Sequence, residues 1–131
     1  MNISNYLADA LLNEVFRATN YVAPVTVYVA LYTSDPTRAD VGIEVTGGSY
    51  ARQSIAFDAP ADVLSKRTLL NTTDVVFPVA TADWGIITHV GIRNALTNGN
   101  LLYFGQLTTS KTILNGDRLK FIDSDMIINL S

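Results

Sequence analysis

The side chains best placed to do chemistry are the single histidine, His89, and the scattered aspartates. A hydrolytic triad needs a histidine within reach of a nucleophile and a carboxylate. On an alternating strand, His89 shares a face with Ile87, Gly91 and Arg93, opposite Ile86, Thr88, Val90 and Ile92. Nothing in the spacing brings a nucleophile to it, so it reads as a hydrogen-bonding residue on the less apolar face or at an interface. Zinc needs three or four nitrogen or sulfur ligands, which one histidine and no cysteine do not provide. Asp117, Asp123 and Asp125 cluster late in the chain, and Asp35 and Asp40 flank Pro36, but neither group has the glycine and glutamate spacing of a calcium loop. They read as turn formers. Gly47-Gly48 is followed by no Gly-Lys-Ser or Gly-Lys-Thr pattern and no helix, so it is a turn and not a phosphate cradle. Catalytic, cofactor and metal sites are therefore not expected. Of the aromatic residues, Tyr28, Tyr32, Tyr50 and Tyr103 carry the binding question: exposed together, they would form an interface or a ligand surface.

The elements that position these residues follow from periodicity. Leu7, Leu11 and Val15, flanked by Ala8, Leu12 and Phe16, make an apolar stripe over residues 4–18. Ser4 is the expected N-cap, and the stripe is expected to cover one side of a sheet. From Val25 the period changes to two. Val25, Val27, Val29 and Leu31 alternate with Thr26, Tyr28, Ala30 and Tyr32, which predicts a central strand covered on both faces. Further strands are expected at 50–57, 67–70, 74–77, 118–122 and 126–130, with loops at 34–40 and 58–62. Between Trp84 and Leu107, two β-prone segments joined by Asn98-Gly99 read as a hairpin. No crossover helices are available for a parallel sheet. The predicted fold is mainly β with one N-terminal α-helix, an antiparallel β-sandwich or flattened barrel, in a single domain spanning 1–131. Trp84, Gly47, Gly48 and Gly99 are its expected anchors.

Composition narrows the partners. The 131 residues are 48% apolar and 16% charged, below the usual charged fraction of about 25%, which points to surface covered by other chains and to a homo-oligomer. A net charge of -3, with Lys and Arg scattered singly, gives no footprint for nucleic acid. No apolar run reaches membrane length, and no basic region opens the chain, so neither a membrane span nor a cleaved signal is expected.

Four segments in combination carry a resemblance: VALYTSDPT at 29–37, GGSYARQ at 47–53, VFPVATADWGIITHVGI at 76–92 and NGNLLYFG at 98–105. Together they resemble a family of small tailed-bacteriophage proteins, described as tail-fibre-like or virion proteins, over roughly residues 1–130. The resemblance implies a structural component of the virion without enzymatic role or cofactor, made in the bacterial cytoplasm and bound to the major capsid protein or other virion proteins. No catalytic residues carry over.

Two virion roles differ in geometry. A capsid decoration or cement protein is a compact domain repeated over the joints of the shell, and the chain fits that in size. A tail-fibre component more often has a shaft or repeats, absent from this sequence, although a small tail or baseplate part needs neither. Decoration is therefore the first expectation, a tail, baseplate or fibre part the second, and a sugar- or peptide-binding module the third. Contacts are expected through the loops at 34–48 and 58–66, with Tyr28, Tyr32, Asp35, Pro36, Arg38, Tyr50 and Tyr103 as candidate interface residues.

Overall fold

A computed structural model describes residues 1–130. In chain order the elements are β1 (Asn2–Ile3), α1 (Asn5–Arg17), β2 (Val27–Tyr32), β3 (Gln53–Ile55), β4 (Ala61–Val63), β5 (Lys66–Leu70), β6 (Val75–Val76), β7 (Gly85–Arg93), β8 (Leu101–Ile113), β9 (Lys120–Phe121) and β10 (Ile127–Leu130). The strands form a five-stranded sheet in the order β1-β8-β7-β2-β3, a three-stranded sheet β10-β5-β4 and a pair β6-β9. All ladders are antiparallel. The fold is mainly β with one N-terminal helix, its sheets packed in a sandwich-like arrangement.

The β7-β8 hairpin is the scaffold. Asn98 and Gly99 have φ of 54° and 69°, but they are not the two-residue turn their types suggest: they lie within a connection over 94–100, closed by the Asn94 N–H donating to the Asn100 carbonyl at 3.2 Å. A Cβ on Gly99 would lie 2.5 Å from Asn94 Oδ1, so the turn is closed to larger residues. Two register shifts then bend the ladder. Ile92 pairs with Tyr103 but Arg93 with Leu101, which leaves Leu102 as an extra residue. Leu102 and Tyr103 consequently both join the main core, although they are neighbours in sequence. A larger shift separates the Ile87–Lys111 pair from the His89–Gln106 pair. It corrects the strict alternation expected for this strand: Ile87 packs with Val90 and Ile92 in the core, not on the face of His89.

β2 is covered on both faces, as its pattern predicts. Val29 and Leu31 enter the main core, while Ala30 and Tyr32 form a second cluster with Leu101 and Phe104 behind the sheet. The middle position of the five belongs to β7, however, with β2 one place out. The main core is closed by β6, β9 and the chain around them, through Val75, Phe77, Leu119, Phe121 and Met126. The strand expected at 50–57 shrinks to Gln53–Ile55, because its ladder with β2 ends at Val29 and Tyr50 and Arg52 are drawn into other contacts. The loop expected at 58–62 contains the start of β4, which turns into β5 through left-handed Leu64 and Ser65. A Leu-Ser turn carries none of the Gly or Asn signal that marks such turns in sequence.

The helix departs most from expectation. Ser4 caps it, accepting from the Leu7 N–H at 3.1 Å and donating to the Leu101 carbonyl, and Ala18 closes it in a left-handed conformation. Yet no residue of α1 is buried. Leu7 reaches the core, and the far half of the stripe faces outward: Leu12 is 57%, Val15 68% and Phe16 78% exposed. The expectation that the stripe covers a sheet is corrected here. Among the elements, α1 leans on β8, and its last turns run past that support. None of the helices is long and apolar enough to cross a membrane among the described residues.

Candidate functional site

Two buried arginines organise one end of the sandwich. Arg93, the last residue of β7, donates from Nη1 to Asp40 Oδ1 at 2.7 Å and to the Tyr32 hydroxyl at 2.9 Å. Its Nη2 donates to Asp40 Oδ2 and to the Gly99 carbonyl, both at 2.9 Å. Arg52 makes a second fork, from Nε and Nη2 to the two oxygens of Glu44, each at 2.8 Å. Its Nη1 donates to the carbonyls of Ala95 and Asn98 at 2.8 Å. Only a guanidinium has enough planar donors to grip a carboxylate and two further acceptors together. The pair ties the loop at 33–48 to the hairpin turn at 94–100, turning two connections into one rigid surface.

The tyrosines complete this clamp. The Tyr50 hydroxyl donates to Glu44 Oε2 at 2.6 Å and accepts from the Leu31 N–H at 3.0 Å. Burial, reinforced by the Glu44 carboxylate, pushes the Tyr50 phenol far above its ordinary value, so it remains a donor. Burial and the hydrogen bond and charge of Arg93 oppose each other at Tyr32, with burial prevailing to raise it. At Glu44, burial favours the neutral acid, but the hydrogen bonds from Arg52 and Tyr50 and the Arg52 charge outweigh it and hold the carboxyl below its usual range. The stabilisation from Glu44 is thus complete above the unfolded-state value, near 4.5, and is lost as pH falls through the lower folded-state value. Glu44→Gln should be less stable than wild type at neutral pH and should lose less on acidification. Urea midpoints at neutral pH and near pH 3 check this; parallel losses in both proteins would show that Glu44 does not contribute.

Beside the clamp, Trp84 donates from Nε1 to the Gly48 carbonyl at 2.9 Å. Its ring meets Tyr50 and Phe77 edge-on at centroid distances of 5.5 and 6.4 Å. Gly47 and Gly48 have φ of 74° and 56°. A Cβ on Gly48 would sit 2.8 Å from Trp84 Nε1, so the turn also makes room for the indole.

The candidate interface residues do not share one exposed surface. Tyr32 is 1% exposed and Pro36 is covered, both beneath Gly42, whose Cβ would strike the Pro36 backbone at 2.7 Å. Tyr103 is buried in the core, and Tyr50 and Tyr28 are half-buried. The tyrosine platform is therefore corrected: these rings pack within the layers instead of standing exposed together, and the hydroxyls of Tyr32 and Tyr50 find internal partners. Asp35 and Arg38 are exposed. Asp35 Oδ1 accepts from the Thr37 N–H at 2.9 Å, and Arg38 Nε reaches Asn5 Oδ1 at 3.2 Å, joining the loop to α1. Asp35 also lies 3.8 Å from His89 Nε2, while His89 Nδ1 is 2.8 Å from the hydroxyl of neighbouring Thr88. Among the described residues, no group of three or more His, Cys, Asp or Glu side chains could hold a metal ion.

The open surface lies elsewhere. Beside α1, a groove of about 230 Å³ is lined mainly by Leu11, Pro60, Leu69, Tyr103, Ile128 and Leu130, with its floor on Tyr103 of β8 and its far wall on β5 and β10. Of α1, Leu11 alone lines it; Leu12, Val15 and Phe16 are exposed on the turns that follow. Sequence reasoning missed both features. Arg52 and Arg93 were visible as charges inside apolar strands, a signal for buried pairs, but their partners Glu44 and Asp40 lie in a loop without periodicity.

A small β-rich protein, braced at one end by two buried arginines and carrying exposed apolar residues on its helix, is the class this arrangement defines. A family model described as podophage GP4 fiber I protein gp80 matches residues 2–129, and the chain belongs to that family. No curated protein matches the chain. The resemblance to tailed-phage virion proteins is thereby upheld, and the chain is of the phage fibre type.

Proposed function

We propose that this protein is a non-catalytic fibre or tail component of a phage particle, one folded unit that joins other virion proteins by surface complementarity. The observation that carries the reading is the apolar flank: Leu12, Val15 and Phe16 stand open beside an apolar groove, a surface of the kind that soluble monomers keep small and that assemblies cover. The clamped loop at 33–48 adds a second contact region, preorganised so that little ordering entropy is lost on binding. The turn at Leu64, 93% exposed, offers a third. The fibre reading stands ahead of capsid decoration because the family description names a fibre, whereas decoration is supported by chain size alone.

Copy number decides between them. Quantitative mass spectrometry of purified virions, scaled to the major capsid protein, should find this chain in a small fixed number per particle. Hundreds of copies in ratio to the shell subunit would establish decoration instead, and absence from the particle would favour a binding module outside the virion.

A further inference from the structure

We propose that Asn98 is a site of spontaneous covalent modification: the Gly99 amide nitrogen closes on the Asn98 side chain to a succinimide, which opens to an aspartyl or isoaspartyl residue inside the arginine clamp. The inference is independent of the virion reading above.

The chain holds two Asn-Gly dipeptides, Asn98-Gly99 and Asn115-Gly116. In each, glycine lets the following amide nitrogen approach the asparagine side chain, because no Cβ stands in the way. All four residues are exposed, so access to solvent does not distinguish the pairs. Hydrogen bonding does. Neither the Asn98 side chain nor the Gly99 N–H makes a hydrogen bond among the described residues. At the other pair, the Gly116 N–H donates to the Ala80 carbonyl at 2.7 Å and the Asn115 N–H to Asp83 Oδ1 at 2.8 Å. Asn115 therefore reacts only after its turn has left Ala80 and Asp83.

The clamp also prepares the nucleophile. Reaction begins when the Gly99 nitrogen loses its proton, and the charge so formed spreads onto the carbonyl oxygen of the same peptide unit, that of Asn98. Arg52 Nη1 donates to this oxygen at 2.8 Å and Arg93 Nε at 3.4 Å. Two guanidinium groups thus stabilise the developing anion, in the manner of an oxyanion hole. The nitrogen attacks Asn98 Cγ, the C–N bond of the side-chain amide breaks, and ammonia leaves with a proton regained from solvent. Water then opens the ring at either carbonyl. Opening at Cγ gives aspartate. Opening at the former main-chain carbonyl leaves a carboxylate where the arginines now hold a neutral acceptor, and routes the chain through Cγ with one methylene more. The connection is already tight there, since a Cβ on Gly99 would lie 2.5 Å from Asn94 Oδ1, so the longer backbone loosens it.

Tryptic mapping of the folded chain, aged at mildly alkaline pH and read by mass spectrometry, tests the assignment. Cleavage after Arg93, Lys111 and Arg118 places the two sites in separate peptides, 94–111 and 112–118. Asn98 should convert about 30-fold faster than Asn115, the factor corresponding to the two hydrogen bonds that Asn115 must first release. In urea, with both turns open, the two should convert at similar rates. Fragment ions from the first peptide separate Asn98 from Asn94 and Asn100. Equal rates in the folded chain, a faster Asn115, a ratio that survives urea, or conversion at Asn94 or Asn100 in place of Asn98 would overturn the proposal.

Discussion

Trp84→Ala is expected to cost about 3–5 kcal/mol of stability, the range for deleting a large buried aromatic ring. The ring is 5% exposed and stands between Tyr50, Phe77 and the Gly47-Gly48 turn. Its removal opens a cavity that rigid sheet neighbours fill poorly, and it strands the Gly48 carbonyl that Nε1 satisfies. At about 3–4 °C per kcal/mol for a domain of this size, melting should fall by roughly 10–20 °C. Trp84→Phe should cost less, since most of the apolar volume remains and the hydrogen bond alone is lost, at about 1 kcal/mol plus the smaller void. Circular dichroism melts of both variants check this. An unchanged midpoint for Trp84→Ala would show that the indole does not anchor the core.

Arg93→Ala should cost about 2–3 kcal/mol, because it deletes a buried guanidinium and leaves the buried Tyr32 hydroxyl without its partner. Asp40 loses both of its guanidinium bonds, and the Tyr32 hydroxyl, deep in the second cluster, loses its donor. Asp40 is an exposed residue whose carboxylate water can rehydrate, which limits the cost. Arg93→Lys should recover part of it, since an ammonium lacks the planar fork that holds both Asp40 oxygens and the Gly99 carbonyl. A double-mutant cycle with Asp40→Ala should give a coupling above about 1 kcal/mol, as for residues sharing one network. Additive costs in urea titrations would show that the two side chains act independently and that the clamp is not a unit.

The hairpin illustrates what local sequence conveys. Asn98-Gly99 supplies left-handed backbone within the connection over 94–100, and the apolar, β-prone runs on either side mark the two strands. Both signals are contained within about twenty residues, so reading them requires no knowledge of distant contacts. Ser4 is similar: a hydroxyl one residue before an amphipathic run caps the helix through Leu7, three positions on. The helix stripe shows the opposite case. Its periodicity defines a face, but whether that face meets β8 or solvent depends on where the helix axis lies, which is set by the β1-β8 pairing and by Arg38 reaching Asn5 across 33 positions.

By itself, the sequence determined the mainly antiparallel β class, the N-terminal helix, the β7-β8 hairpin and the family, because each rests on local propensity or on a run of contiguous residues. Tertiary structure alone decided which tyrosines are core and which charges are partners. Arg93 meets Tyr32 and Asp40 across 61 and 53 positions, and Arg52 meets the Asn98 carbonyl across 46. A tyrosine on a strand has the same pattern whether the layer above it is protein or water, and a buried arginine looks the same in sequence as a solvated one. The difference is made by closure of the loop at 33–48 over the sheet, where desolvation makes an unpaired charge costly and so selects the conformation in which the guanidinium groups of Arg52 and Arg93 are both held.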